Sequence, residues 1–158
     1  MKPILAALAC ALALTTPTLH AADDPAPPVA SAADPLDGAR AHIAARRWPD
    51  AITELRRVGD TRGANWNNLM GYSLRKQSRP DVLGAERHYQ EALRIDPKHR
   101  GALEYYGELQ LMKGDVAAAE SLLAKLSAVC TFGCEEFRDL KNAVVRYKAA
   151  GNRYSPTY

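Results

Sequence analysis

The sequence predicts an all-α protein, and three observations support this. Apolar residues make up 47% of the 158 residues but aromatic residues only 7%, and this alanine-rich balance favours close-packed helices over a sheet. Ala51, Ala85 and Ala119 recur at intervals of 34 residues, and a fixed interval of this length indicates stacked structural repeats. Apolar side chains follow each alanine at offsets of four and seven residues, which places them on one helix face.

The first 21 residues have the pattern of a secretory signal peptide. Lys2 precedes an apolar run over residues 4–14, and Leu19-His20-Ala21 resembles the end of a cleaved leader. The run is about half as long as the roughly 20 residues that a membrane-spanning helix needs. We therefore expect a periplasmic or secreted protein without a transmembrane span. Cys10 leaves a lipid anchor open as the alternative.

The folded domain is expected over residues 34–150. Residues 22–33 contain three prolines among small residues, which predicts a flexible linker with too little apolar bulk to fold. Asp34 and Pro35 then supply a helix cap and a proline at the first helical position. Gly151 ends the last predicted helix, and residues 151–158 are expected to form a frayed tail.

Turn signals divide the domain into three helix pairs. They are Trp48-Pro49-Asp50, Arg79-Pro80-Asp81 and Gly114-Asp115. A small residue lies inside each first helix, namely Ala39, Gly71 and Gly107. The first helices are spaced by 32 and then 36 residues, whereas the second helices keep the interval of 34. We therefore expect a short link between the first two pairs and a loop about two residues longer at residues 78–84.

A last amphipathic helix is predicted after the third pair, over residues 135–150. Its apolar positions follow one another at offsets of 3, 4 and 3 residues, at Phe137, Leu140, Val144 and Tyr147. Because a repeat array needs a terminal element to cover its last apolar face, we expect a capping helix here.

These features resemble the tetratricopeptide repeat family, whose repeat is a helix-turn-helix of about 34 residues. The second pair matches best, with Gly71, Tyr72, Ala85, Tyr89, Ala92 and Pro97 in the pattern positions. In the third pair Gly107, Ala119, Leu123 and Leu126 match, and Thr131 stands where the closing proline is usual. The first pair departs further, with Ala39 for the glycine and Gly63 for the proline. The resemblance covers residues 36–129 and implies a right-handed superhelix of about three helix pairs followed by the capping helix.

The resemblance also implies that first-helix side chains line a concave groove that binds a protein or peptide partner. The residues on that face are Arg40, Asn65, Asn68, Tyr72, Arg75, Tyr105 and Glu108. Amide, guanidinium and phenol groups suit the recognition of a peptide, but the same pattern is typical of a solvated helix surface. Glu104 and Glu108 stand where carboxylate-binding members carry basic residues, so a mixed-charge peptide or a folded surface is the expected partner.

Cys130 and Cys134 are the only cysteines left after removal of a signal peptide, in a compartment where disulfides persist. In a regular helix their Cβ atoms would lie about 5–6 Å apart, whereas a disulfide needs about 3.5–4.5 Å. A bridge therefore requires a non-helical turn, to which Thr131 and Gly133 are suited. We expect a structural disulfide, and a redox-active pair or a copper or zinc site remain the alternatives.

No catalytic motif is found: the sequence lacks a glycine-rich phosphate loop, His-Glu-x-x-His and Gly-x-Ser-x-Gly. Removal of Lys2 with the leader lowers the net charge from +3 to +2, which gives no support for a nucleic-acid binder. We expect a non-enzymatic adaptor or assembly factor that needs no cofactor or metal, either a monomer or a component of a larger envelope assembly. The alternative is a thiol-redox or metal-handling protein that uses Cys130 and Cys134.

Overall fold

A computed structural model of the chain describes residues 33–155, which form seven α-helices and no strand. The helices are α1 (Asp37–Ala44), α2 (Trp48–Val58), α3 (Ala64–Lys76), α4 (Val82–Ile95), α5 (Arg100–Lys113), α6 (Val116–Val129) and α7 (Glu135–Ala149). The all-α prediction is confirmed. The predicted signal peptide, Cys10, most of the linker and the end of the tail lie outside the described residues. No helix in the described part is long and apolar enough to cross a membrane.

The helices pack as three consecutive pairs, α1 with α2, α3 with α4 and α5 with α6. The first helices also contact one another in series, because α3 packs on α1, α5 on α3 and α7 on α5. Each second helix packs on the first helices on either side of it. The result is two layers, with α1, α3, α5 and α7 in one and α2, α4 and α6 in the other. The helix α7 thus occupies the place of a fourth first helix.

The interval of 34 residues marks the buried face of the second helices, as predicted. Ala51, Ala85 and Ala119 are all fully buried. The reason is visible at Gly71, where an added Cβ would lie 2.8 Å from the Tyr89 ring and 3.1 Å from the Ala85 carbonyl oxygen. Small residues are required there because α3 and α4 approach closely.

Polar contacts join one helix pair to the next. The Trp66 indole N–H of α3 donates to the Leu55 carbonyl of α2 at 2.6 Å. Glu86 of α4 accepts hydrogen bonds from Tyr106 and from Lys113 of α5, at 3.1 and 2.7 Å. These bonds satisfy groups that the packing of successive pairs removes from water.

Two of the predicted loop features differ from the structure. The longer loop of the second pair is present and spans residues 77–81, but Gly84 lies in the first turn of α4 rather than in the loop. The Asp81 carboxylate accepts from the Gly84 N–H at 2.8 Å, and this cap starts the helix earlier. The expected short link between the first two pairs is wrong, since residues 59–63 separate α2 from α3 and only residues 96–99 separate α4 from α5.

The first helix begins at Asp37 rather than directly after Asp34. The Asp34 carboxylate accepts from the Leu36 N–H at 2.9 Å and closes a turn before the helix. The predicted cap residue therefore precedes α1 by one turn.

Candidate functional site

A cavity of about 450 Å³ opens on the layer formed by the first helices, and we call it the groove. Side chains from four helices of that layer and from the start of α2 line it. They are Ile43, Ala44, Arg46, Trp48, Tyr72, Lys76, Glu104, Tyr105, Glu108, Asp139 and Arg146. Three aromatic residues, three carboxylates and three cations therefore meet on one surface, although their positions in the sequence are up to about 100 residues apart.

Three aromatic rings run along the groove from the first pair to the third. The Trp48 and Tyr72 rings meet edge to face with centroids 5.7 Å apart. The Tyr72 and Tyr105 rings follow at 4.5 Å. Rings held against one another in this way present contact area that loses little conformational entropy when a partner binds.

Arg75 lies beneath these rings, with its guanidinium carbon 5.6 Å from the centroid of Tyr72 and 5.8 Å from that of Tyr105. Only 2% of its side chain is exposed, and Nη2 forms an ion pair with Glu108 Oε2 at 2.6 Å. The Tyr154 hydroxyl accepts from Nη1 at 3.4 Å. The guanidinium group therefore interacts with other side chains of the protein. It supports the floor of the groove and does not offer its N–H groups to a ligand.

Glu104 is the most buried acid of the groove. The residue is only 7% exposed, yet it lines the cavity, and its carboxyl group forms no hydrogen bond or ion pair with any described residue. Burial has the largest effect on the pKa of Glu104, and the nearby carboxylates of Glu108, Asp139 and Glu136 add to it against the effect of Arg75, so that together they raise the pKa to about 8. The carboxyl group is accordingly mostly protonated at neutral pH.

Three of the seven predicted groove residues, Tyr72, Tyr105 and Glu108, line the groove. Asn68 and Arg75 are buried below its surface, at 7% and 4% exposure. The implied place of these two residues in the lining of the groove is therefore wrong, because α5 packs on that side of α3.

The remaining two predicted residues lie outside the lining of the groove. Arg40 forms ion pairs with Asp34 and Asp37 at 2.7 and 3.0 Å. The Asn65 side-chain oxygen lies 2.9 Å from His99 Nε2, near the start of α5. The structure thus gives both side chains local partners, and a role in binding stays a prediction for the whole set.

Several residues of the groove are not predicted by the sequence. Asp139 and Arg146 belong to the predicted capping helix α7, although their spacing of seven residues places them on one helix face. Trp48 belongs to a predicted turn signal, yet it is the first residue of α2, and Arg46 lies in the link before it. Lys76 lies four residues after Tyr72 in α3 and therefore on the same helix face.

The second candidate site is the corner between α6 and α7. The Cys130 and Cys134 sulfur atoms lie 2.08 Å apart across a non-helical turn, in which Gly133 has a positive φ of 81°. Cys134 Sγ also accepts from the Phe137 N–H at 3.4 Å and caps α7. Within the described residues no group of three His, Cys, Asp or Glu side chains is placed to hold a metal. This geometry suits the predicted structural corner, while the disulfide itself stays a prediction.

Comparison with known families gives one match. A family model of the tetratricopeptide repeat matches residues 81–130, which span α4, α5 and α6. This match confirms the resemblance to the tetratricopeptide repeat family. The matched residues cover the second helix of the second pair and both helices of the third pair. None of the curated proteins compared with the chain matches it.

Proposed function

We propose that this tetratricopeptide-repeat chain is a protein-interaction module, an adaptor or assembly factor, that binds a segment of a partner protein in the groove. The observation that carries the proposal is the convergence of four first-layer helices on one cavity of about 450 Å³. Tyrosine, tryptophan and arginine are the residue types that dominate binding energy at protein interfaces. A groove that combines rings with both signs of charge suits a mixed-charge segment better than a purely apolar one.

We place this activity in the periplasm or outside the cell. The support is the signal-peptide pattern of residues 1–21, with Lys2, an apolar run and a small-residue end. The two cysteines of the described part lie at bonding distance, and such a pair persists in an oxidising compartment. Fractionation of the producing cells, with amino-terminal sequencing of the mature chain, tests this placement and also separates a free protein from one anchored through Cys10.

Photo-crosslinking in the producing cells tests the groove directly. A photoreactive phenylalanine analogue is introduced at Tyr72, which lines the groove, and at Arg87, which is exposed on α4 outside it. We expect a discrete protein adduct from position 72 and none from position 87. The same adduct from position 87 alone would contradict binding in the groove, and no adduct from either position would contradict the interaction role.

A further inference from the structure

We infer that the groove takes one basic side chain of the partner, a lysine or an arginine, against the carboxyl group of Glu104. This inference rests on the proposed function and adds the chemical class of residue that the partner must present. It is carried by a buried acid that lines the groove and forms no ion pair within the described part of the chain.

The position of Glu104 is what distinguishes it from an ordinary surface acid. The residue is more than nine-tenths buried, lines the groove and lacks an ion-pair partner in the described part of the chain. Leaving a carboxyl group in such a place is costly, and the cost is recovered when a ligand supplies a cation. Glu108 and Asp139 line the same cavity, and both raise the pKa of Glu104, so negative charge lies close to its carboxyl group.

The aromatic rings complete a site for a long basic side chain. Tyr105 is adjacent to Glu104 in α5, and Tyr72 packs on Tyr105 at 4.5 Å. The methylene stem of a lysine or arginine can lie along such rings while its charged end reaches a carboxylate. This combination distinguishes a basic side chain from a small inorganic cation, which would need several oxygen ligands.

The surrounding cations restrict the partner further. Arg46, Lys76 and Arg146 also line the groove, so the cavity as a whole is not strongly acidic. A polybasic segment would be repelled by these cations. The segment that fits therefore has one basic residue flanked by neutral or acidic ones.

Binding of a basic side chain is coupled to pH, because Glu104 must lose its proton to form the ion pair. The groups that face it are Glu108 on the same helix, Asp139 and Glu136 on α7, and Arg75 on α3. Burial and the three acids together raise the pKa of Glu104 to about 8. Because only the ionised fraction is competent to pair, affinity should rise roughly 30-fold between pH 6.5 and pH 9.

A displayed library of random linear peptides, selected on the full chain and on Glu104→Gln, tests the inference. Wild-type selection is expected to enrich lysine or arginine at one position, and Glu104→Gln to lose that preference at least tenfold while still binding peptides. Glu91→Gln, on α4 outside the groove, is the matched control and should retain the preference.

The dissociation constant of the best wild-type peptide is then measured at pH 6.5 and pH 9. We expect a rise in affinity for wild type and Glu91→Gln, and a nearly flat response for Glu104→Gln.

The outcomes separate the two proposals. Peptides that compete with the partner for the groove but carry no basic preference, or a preference that survives Glu104→Gln, would overturn the inference and leave the proposed function standing. If no peptide is enriched and position 72 gives no crosslink, the proposed function itself fails.

Discussion

Glu104 occupies a position at which the other first-layer helices carry no charged side chain. The corresponding residue is Leu36 just before α1, Asn68 in α3 and Leu140 in α7, and all three are buried. The packing of the layer therefore accepts an uncharged residue at this point. A residue that lowers the stability of the fold and forms no stabilising interaction in it marks a functional position in many proteins.

The first prediction follows from the proton on Glu104. In the unfolded chain its pKa is near the ordinary 4.5, whereas burial raises the pKa to about 8 in the folded protein. Between these values the folded state holds the extra proton, so the free energy of unfolding falls as pH rises through that window. Glu104→Gln removes the penalty and should stabilise the protein by about 1–3 kcal/mol at pH 8.5, but have little effect at pH 5.

Urea unfolding at the two pH values measures this difference. Glu91→Gln serves as the control, because Glu91 is paired with Arg94 at the surface and its pKa is lowered rather than raised by that partner. Equal effects of Glu104→Gln at pH 5 and pH 8.5 would show that the carboxyl group is not perturbed by burial.

Arg75 is the second charged residue at an apolar position. Four residues after the small residue, α5 has Leu111 and α7 has Tyr147, and both are buried. Arg75 is accommodated there by the ion pair with Glu108 at 2.6 Å and by the faces of Tyr72 and Tyr105. Removing one member of such a pair leaves the other without its counter-charge in a partly dry site.

The second prediction is that Arg75→Met destabilises the protein by roughly 2–4 kcal/mol, and that adding Glu108→Gln recovers most of the loss. Denaturant unfolding of the two single variants and the double variant gives the coupling energy. Strict additivity of the two changes would mean that the pair contributes no interaction of its own.

At the scale of the helix, the spacing of small residues predicts which faces of the second helices are buried, which composition alone does not. The interval between Ala51, Ala85 and Ala119 was sufficient to place three second helices in register, because close packing excludes larger residues at those points. Helix ends are predicted less well, since Asp81 caps α4 whereas Asp34 closes a turn before α1, and both positions depend on where the chain turns. Lengths of links between pairs depend on how the pairs stack, which a single sequence does not show.

The third prediction concerns the close approach of α3 and α4. In Gly71→Ala the new methyl group would meet the fully buried Tyr89 ring and the Ala85 carbonyl, neither of which can move easily. We expect a loss of about 1–3 kcal/mol from overpacking. Gly38→Ala is the matched control, because its methyl group would meet only the flexible Glu54 side chain and gains helix propensity of about 0.5–1 kcal/mol.

Thermal unfolding of both glycine variants followed by circular dichroism measures the contrast. A lower melting temperature for Gly71→Ala together with an unchanged or higher one for Gly38→Ala is the expected pattern. Two equal shifts would contradict the assigned packing of α3 on α4.

The fourth prediction concerns the corner at Cys130 and Cys134. Replacing both by serine should leave the first two pairs intact, because the closed loop is very short and constrains chiefly the angle of α7. Hydrogen exchange should increase in α7, where Leu140 and Val144 pack on the third pair, and remain unchanged in α3 and α4.

Thiol titration of the native protein should find no reactive cysteine in the secreted chain. A pair that exchanges readily with glutathione would instead favour the thiol-redox alternative.

At the scale of the whole molecule, the groove depends on elements that are distant in the sequence. Tyr72, Tyr105 and Glu108 could be predicted because each lies on the exposed side of its own helix when that helix is considered alone. The burial of Arg75 and Asn68 could not, since it results from the packing of α5 on α3. The contribution of α7 was missed for the same reason, because a capping role does not predict that Asp139 and Arg146 reach the cavity.

The helix α7 has two roles in the structure. It covers the apolar face of the third pair and contributes side chains to the groove, and the last prediction separates these roles. Leu140 fills the space above Gly107, where an added Cβ would lie 2.6 Å from its side chain. Together with Val144 and Tyr147 it covers the apolar face of the third pair, including Leu103 and Leu111. Because repeat arrays need a terminal element that is polar on its outer side, loss of α7 should expose this face to solvent.

The fifth prediction is therefore that a chain ended at residue 130, with Cys130→Ser to avoid a free thiol, associates or melts at a lower temperature than the full chain. A chain ended at Ser155 retains α7 and Tyr154 and is the matched control. Light scattering after size-exclusion chromatography reports association, and circular dichroism reports melting.

Replacing Asp139 and Arg146 by serine in the full chain removes the groove contribution of α7 but leaves Leu140 in place, so this variant should stay monomeric and lose only partner binding. A truncated chain that remains monomeric with an unchanged melting temperature would show that the third pair needs no cover.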